Sequence, residues 1–147
     1  MDERHHERGG ATLLSRRSFF RQILANPEAR ELLLNSLAVG EGDSATDLDR
    51  VAAHVADPVL ARKIYRHFAE ETKHARLFKR HLEGMGFQVK PLPRELDYET
   101  LVQGFEMGTP KSRLDDPRPF DVEDLVTFFC GSKAGEERAC AEMEGLI

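Results

Sequence analysis

Three long stretches of the chain repeat apolar residues at alternating spacings of three and four, the period of an amphipathic helix. In the first, the stripe is Leu34, Ala38, Glu41, Ala45, Leu48, Ala52 and Val55. In the second it is Leu60, Ile64, His67, Glu71, His74, Phe78, His81 and Met85. In the third it is Leu125, Phe129, Ser132, Glu136, Ala139, Met143 and Leu146. Each stripe is apolar towards its ends and carries its acidic residue only in the middle. A buried carboxylate without a partner is costly, so this placement demands a cation, hydrogen bonds or protonation.

Punctuation between the stripes sets their limits. Residues 12–25 are predicted as a short helix ended by Asn26-Pro27, and Pro27 suits the first turn of a long helix reaching about Ala56. Asp57-Pro58 repeats the signal, with Asp57 as N-cap of a second helix that runs to about Gly84. Gly84 and Gly86 are natural terminators there. Residues 87–120 hold five of the seven prolines and little periodicity beyond a short helix from Asp97 to Met107. Asp121 then caps a third long helix that continues to the end of the chain. Residues 1–11 are polar and read as a disordered tail, leaving 12–147 as one all-α domain.

Heights along the helices bring the acidic positions together. The near-absence of a loop at Asp57 makes the first two long helices antiparallel neighbours. Glu41 lies 16 residues before Asp57, and Glu71 and His74 lie 14 and 17 after it. At a rise of ~1.5 Å per residue, all three are about 21–26 Å from the turn. Glu136 lies 15 residues past Asp121 and reaches the same height if the third helix starts at the same end as the second. That requires a long crossover between helices two and three, which the residues from Gly86 to Asp121 can span.

The chemistry centres on Glu71-x-x-His74. At that spacing a carboxylate and an imidazole leave the same helix face about one turn apart, so one metal ion can bind both. Glu3 and His6 share the spacing in the polar tail, so the pair alone is not specific. Its weight comes from Glu41 and Glu136 at the same level. Glu137 is the rival to Glu136, but its own stripe of Val126, Cys130, Lys133 and Glu144 is too charged for a core. His67 and His81 lie a turn or more from the acidic layer and are read as second-shell or rim residues. His54 reads as a surface or edge residue.

Composition narrows the setting. The chain has 147 residues, 40% hydrophobic and 32% charged, with a formal net charge of −5. That charge does not favour nucleic acid or an acidic membrane as partner. The basic residues from Arg62 to Arg80 are expected to form a solvated face partly paired with Asp43, Asp47 and Asp49. No apolar run approaches the ~20 residues of a membrane span. Cys130 and Cys140 lie about 15 Å apart along one helix, beyond disulfide reach. Ser15-Arg16-Arg17-Ser18-Phe19-Phe20 is similar to the core of a twin-arginine export signal. The polar residues from Arg21 to Glu31 replace the apolar region such a signal needs, so the expectation is a cytoplasmic protein.

On Glu41, Glu71-x-x-His74 and Glu136, the chain resembles the ferritin-like di-iron carboxylate superfamily. Glu136-Glu137-Arg138-Ala139-Cys140 also looks like the Glu-x-Arg-x-Cys run of tRNA-modifying di-iron hydroxylases, over five residues only. The resemblance implies a ferritin-like antiparallel helical bundle with a long crossover between helices two and three. It implies Glu41 and His74 on one iron, Glu71 bridging, and Glu136 on the second iron. The family has a fourth helix with a second Glu-x-x-His, which nothing after Glu136 supplies. The expectation is therefore a missing C-terminal segment, or a partner chain such as a second copy in a homodimer, that completes the bundle; the remaining alternative is a site that binds one metal only.

The function the resemblance implies is a non-haem di-iron oxidase or oxygenase that activates O2 and acts on an unknown substrate. The expected metal is iron, two ions if the site is completed, with manganese as the other candidate. Hard carboxylate oxygens tolerate the higher iron states, while imidazole keeps affinity for the ferrous form. Arg138 is a candidate for tuning the site. Two rival readings are a ferritin-like iron-binding protein with ferroxidase turnover only, and a metal-free helical interaction module.

Overall fold

Asp57 and Asn26 set the two longest helices. The computed structural model describes residues 15–97, 100 and 108–144. Among these residues the protein is an all-α helical bundle, with α1 at Arg16–Ala25, α2 at Pro27–His54, α3 at Pro58–Gly84, α4 at Lys111–Leu114 and α5 at Val122–Glu144. The expected tail at 1–11, the start of the 12–25 helix, most of the 97–107 helix and the last three residues lie outside the described residues. Asn26 Oδ1 accepts from the Glu28 and Ala29 N–H groups at 3.0 and 3.1 Å. Asp57 Oδ1 accepts from Val59 N–H at 2.7 Å. Each cap is followed by a proline at the first helical position, where the missing N–H costs nothing. Gly86, with φ of 84°, ends α3 in a left-handed turn. There Phe87 N–H reaches Leu82 O and Gly86 N–H reaches Glu83 O, both at 3.0 Å.

The core forms near the α2–α3 turn. Leu48, Val51 and Ala52 of α2 pack with Ile64 of α3, and the crossover adds Leu114 and Phe120. Leu125, Phe128 and Phe129 bring the first half of α5 onto the same cluster. The short helix α4, inside the proline-rich segment, was not visible as periodicity. It delivers Leu114 to the core. Its Arg113 lies over the Phe120 ring at 4.1 Å and grips Asp124 through Nε at 2.9 Å. That hydrogen-bonded pairing holds the Asp124 carboxyl below the usual carboxylate range. Asp121 caps α5 by accepting from Asp124 N–H at 2.9 Å.

Two contacts orient the crossover. Near the start of α2, buried Asn35 clasps Lys90 by both backbone groups: Nδ2 donates to Lys90 O at 2.9 Å, and Lys90 N–H donates to Oδ1 at 2.8 Å. At the other end, Phe120 N–H donates to His54 O at 3.0 Å, so α5 begins beside the α2–α3 turn. It then runs the same way as α3, as the long return crossover requires. Glycine 131 lies against the crossover, where an added Cβ would stand 3.1 Å from Gly108 Cα. The acidic residues of α2 are partly engaged within their own helix, with Asp47 on Arg50 at 3.4 Å.

Two predictions follow from these contacts. Asn35→Ala should cost roughly 2–3 kcal/mol in chemical denaturation, because it strands both Lys90 backbone groups in a partly buried place. Asn35→Asp should recover only the contact with Lys90 N–H. Gly40→Ala, at a helical position with open space around it, should stabilise by up to ~1 kcal/mol. Gly131→Ala should forfeit that gain, because the Gly108 backbone must move; thermal melts of the two variants make the comparison.

Candidate metal centre

The acidic middles of the three stripes converge as five side chains from three helices. Glu41 comes from α2, His67, Glu71 and His74 from α3, and Glu136 from α5. Small neighbours on α2, the buried Ala38 and Ala45, leave room for the Glu41 carboxylate. Buried Ile64 closes the apolar layer on the turn side, and buried Leu82 lies beyond the cluster on the other.

Glu71 is the centre of the arrangement. Its Oε1 is 2.8 Å from His67 Nε2, and the same nitrogen is 3.2 Å from Glu136 Oε1. Its Oε2 faces the other way, 3.9 Å from His74 Nδ1, which is 3.3 Å from Glu41 Oε2. Two triads result, Glu41/Glu71/His74 and His67/Glu71/Glu136, and within each the donor atoms lie within 4.8 Å of one another. The Glu71 side chain is only 13% exposed, whereas His74 and Glu136 are about half exposed, at 49% and 54%. The cluster therefore has a closed floor and an open rim.

Electrostatics show what the arrangement lacks. Burial, then the facing Glu71 carboxyl, and finally the charge of Glu136, push the Glu41 carboxyl from 4.5 up to about 8. Among the described residues, these three carboxylates have only imidazoles beside them and are short of positive charge. A divalent cation would supply it, and mixed carboxylate oxygen and imidazole nitrogen donors suit a transition-metal ion. The residues present thus fit a metal centre on the chemistry of their donors.

All four residues singled out by spacing, Glu41, Glu71, His74 and Glu136, reach this cluster. Glu137 instead turns towards Lys133, at 3.6 Å on the exposed side. His81 is exposed and outside the cluster. His54 contributes its backbone carbonyl to the start of α5. The side chain of Arg138 lies outside the described residues.

His67, which the sequence places a turn from the acidic layer as a supporting or rim residue, also enters the cluster through the contacts of its Nε2 with Glu71 and Glu136. Side chains on a helix lean towards its N-terminus, so Glu71 covers the turn that holds His67. The same lean explains the pairing across helices. Glu41 on antiparallel α2 leans away from the turn and meets His74, whereas Glu136 on parallel α5 leans towards the turn and meets His67. The signal for His67 was its four-residue spacing from Glu71 on one stripe.

An open groove of about 620 Å³ lies elsewhere on α3, lined by Phe68, Thr72, Lys73, Arg76, Arg80 and neighbours but by none of the five cluster residues. No family model matches the chain, and neither a curated protein nor a solved structure matches it. The site therefore stands on its own geometry.

The raised Glu41 carboxyl generates a pH prediction. Folding makes this group hold a proton that the unfolded chain releases above about pH 4.5. Its stabilising contribution is therefore complete below 4.5 and is lost as pH rises towards 8. In chelator-treated protein the melting temperature should fall across that window, and Glu41→Gln should flatten the fall. Metal affinity should rise over the same range, because the ion displaces the proton.

Proposed function

We propose that this protein is a ferritin-like di-iron protein that activates O2, an oxidase or oxygenase whose substrate is not specified by the residues described. The observation that carries the reading is Glu71, a shielded carboxylate with one oxygen towards each of two histidine- and glutamate-containing triads. A carboxylate so placed would serve as the ligand shared by two ions.

In this reading Glu41, with His74, holds one ion and Glu136 serves the other. Two ferrous ions held there would supply two electrons, enough to reduce O2 to the peroxide level. The chain's own part is positional and electrostatic. Glu71 would keep the two positions adjacent, Glu41 would give up its proton on binding, and the core around buried Ile64 excludes water on the side of the turn. Half-exposed His74 and Glu136 leave one side from which O2 and a substrate approach. Among the described residues no helix is long and apolar enough to cross a membrane.

Anaerobic titration of the full chain with Fe(II) tests the reading. Saturable binding of no more than two ions per chain is expected, followed by O2 consumption on exposure to air. Glu71→Ala should weaken binding by more than the roughly 10–100-fold typical of changes around a ligand. No saturable binding by the parent chain sinks the metal reading, and parent-like affinity in Glu71→Ala sinks the bridging role. Uptake of many ions per chain would point to storage instead of oxygenase chemistry.

A further inference from the structure

Resting on the metal reading above, we infer that His67 is the imidazole ligand of the second metal position, so that α3 alone supplies the shared carboxylate and both histidines. The run His67-x-x-x-Glu71-x-x-His74 puts three donors on one stripe, with Glu71 between the imidazoles. On one side Glu41 arrives from α2; on the other Glu136 arrives from α5. The two triads are built alike. In each, a single imidazole nitrogen faces one oxygen of Glu71 and one oxygen from another helix, at 2.8 and 3.2 Å around His67 and 3.9 and 3.3 Å around His74.

An ordinary helical pair accounts for the His67–Glu71 contact but not for Glu136. One imidazole N–H serves the two carboxylate oxygens in range of His67 Nε2 only by splitting its hydrogen between them in a three-centre bond. A metal ion satisfies that geometry with a single centre, binding the nitrogen lone pair and an oxygen from each carboxylate. The half-exposed Glu136 also makes this position the more open of the two triads' carboxylate sides, since Glu41 is 24% exposed and Glu136 54%.

Equilibrium dialysis of the full chain against Co(II), with the bound metal counted by elemental analysis, tests the assignment. The expected result is two ions per chain for the parent and one for His67→Asn. Glu136→Gln, on a different helix, should also retain one, and circular dichroism checks that each variant keeps its helix content. If His67→Asn unfolds, Glu136→Gln carries the test. Two ions retained by a folded His67→Asn chain overturn the ligand role. One ion in both parent and variant overturns the second position while leaving the first intact. None in a folded His67→Asn chain overturns the separation into two positions. None in the parent overturns this inference and the metal reading together.

Discussion

Pairing of α2 with α3 across the Asp57 turn is the constraint from which the rest of the molecule is built. Only residues 55–57 separate the two helices, so α3 must return alongside α2. The pairing buries Leu48, Val51, Ala52 and Ile64 almost completely. It also sets a common scale of height, measured from the turn, on which Glu41, Glu71 and His74 coincide. A slip of one helical turn between these helices would separate Glu41 from His74 by about 5 Å and dissolve the first triad.

Into that hairpin the molecule places charge where apolar side chains would be more stable. Three carboxylates and two imidazoles interrupt the seam, and the rise of the Glu41 carboxyl to about 8 records the cost of crowding them. The same crowding makes a cation favourable there. Stability without metal and affinity for metal are thus opposed: a neutral replacement at Glu41 relieves the first and weakens the second. Such opposition is common where a site is arranged for binding and the fold must be held elsewhere. Here it is held near the turn, by the core around Leu48 and Val51, and towards the other end by Asn35 on Lys90.

The third helix is attached by its beginning. Arg113, Phe120 and Asp124 fasten the end of the crossover to the first turn of α5, and Phe128 and Phe129 complete its apolar contact. Glu136 lies about two turns beyond Phe129, where it meets His67. Its position is therefore set by the direction in which α5 leaves the Asp121 cap, and by the approach of Gly131 to Gly108.

Much of this architecture was legible in the sequence because it depends on local signals. Asn26-Pro27, Asp57-Pro58, Gly86 and Asp121 mark helix ends through groups within a few residues, and each acts at its expected place. Periodicity also put Glu41, Glu71, His74 and Glu136 on the stripes that meet at the cluster, though His74 and Glu136 lie at its half-exposed rim. The fragment α4 was hidden because a four-residue helix has no period to read. The role of Arg113 was hidden because its partners lie across a fold of proline-rich chain. The contact of His67 with Glu136 was hidden because height counted at the backbone leaves out the side-chain lean that shifts the donor atoms along the axis. By itself the sequence determined which residues share a face and how far each stands from its cap, since those follow from one helix's geometry. Only the tertiary structure decided which imidazole meets which carboxylate, because that depends on the relative direction of three helices and the way their side chains tilt between them.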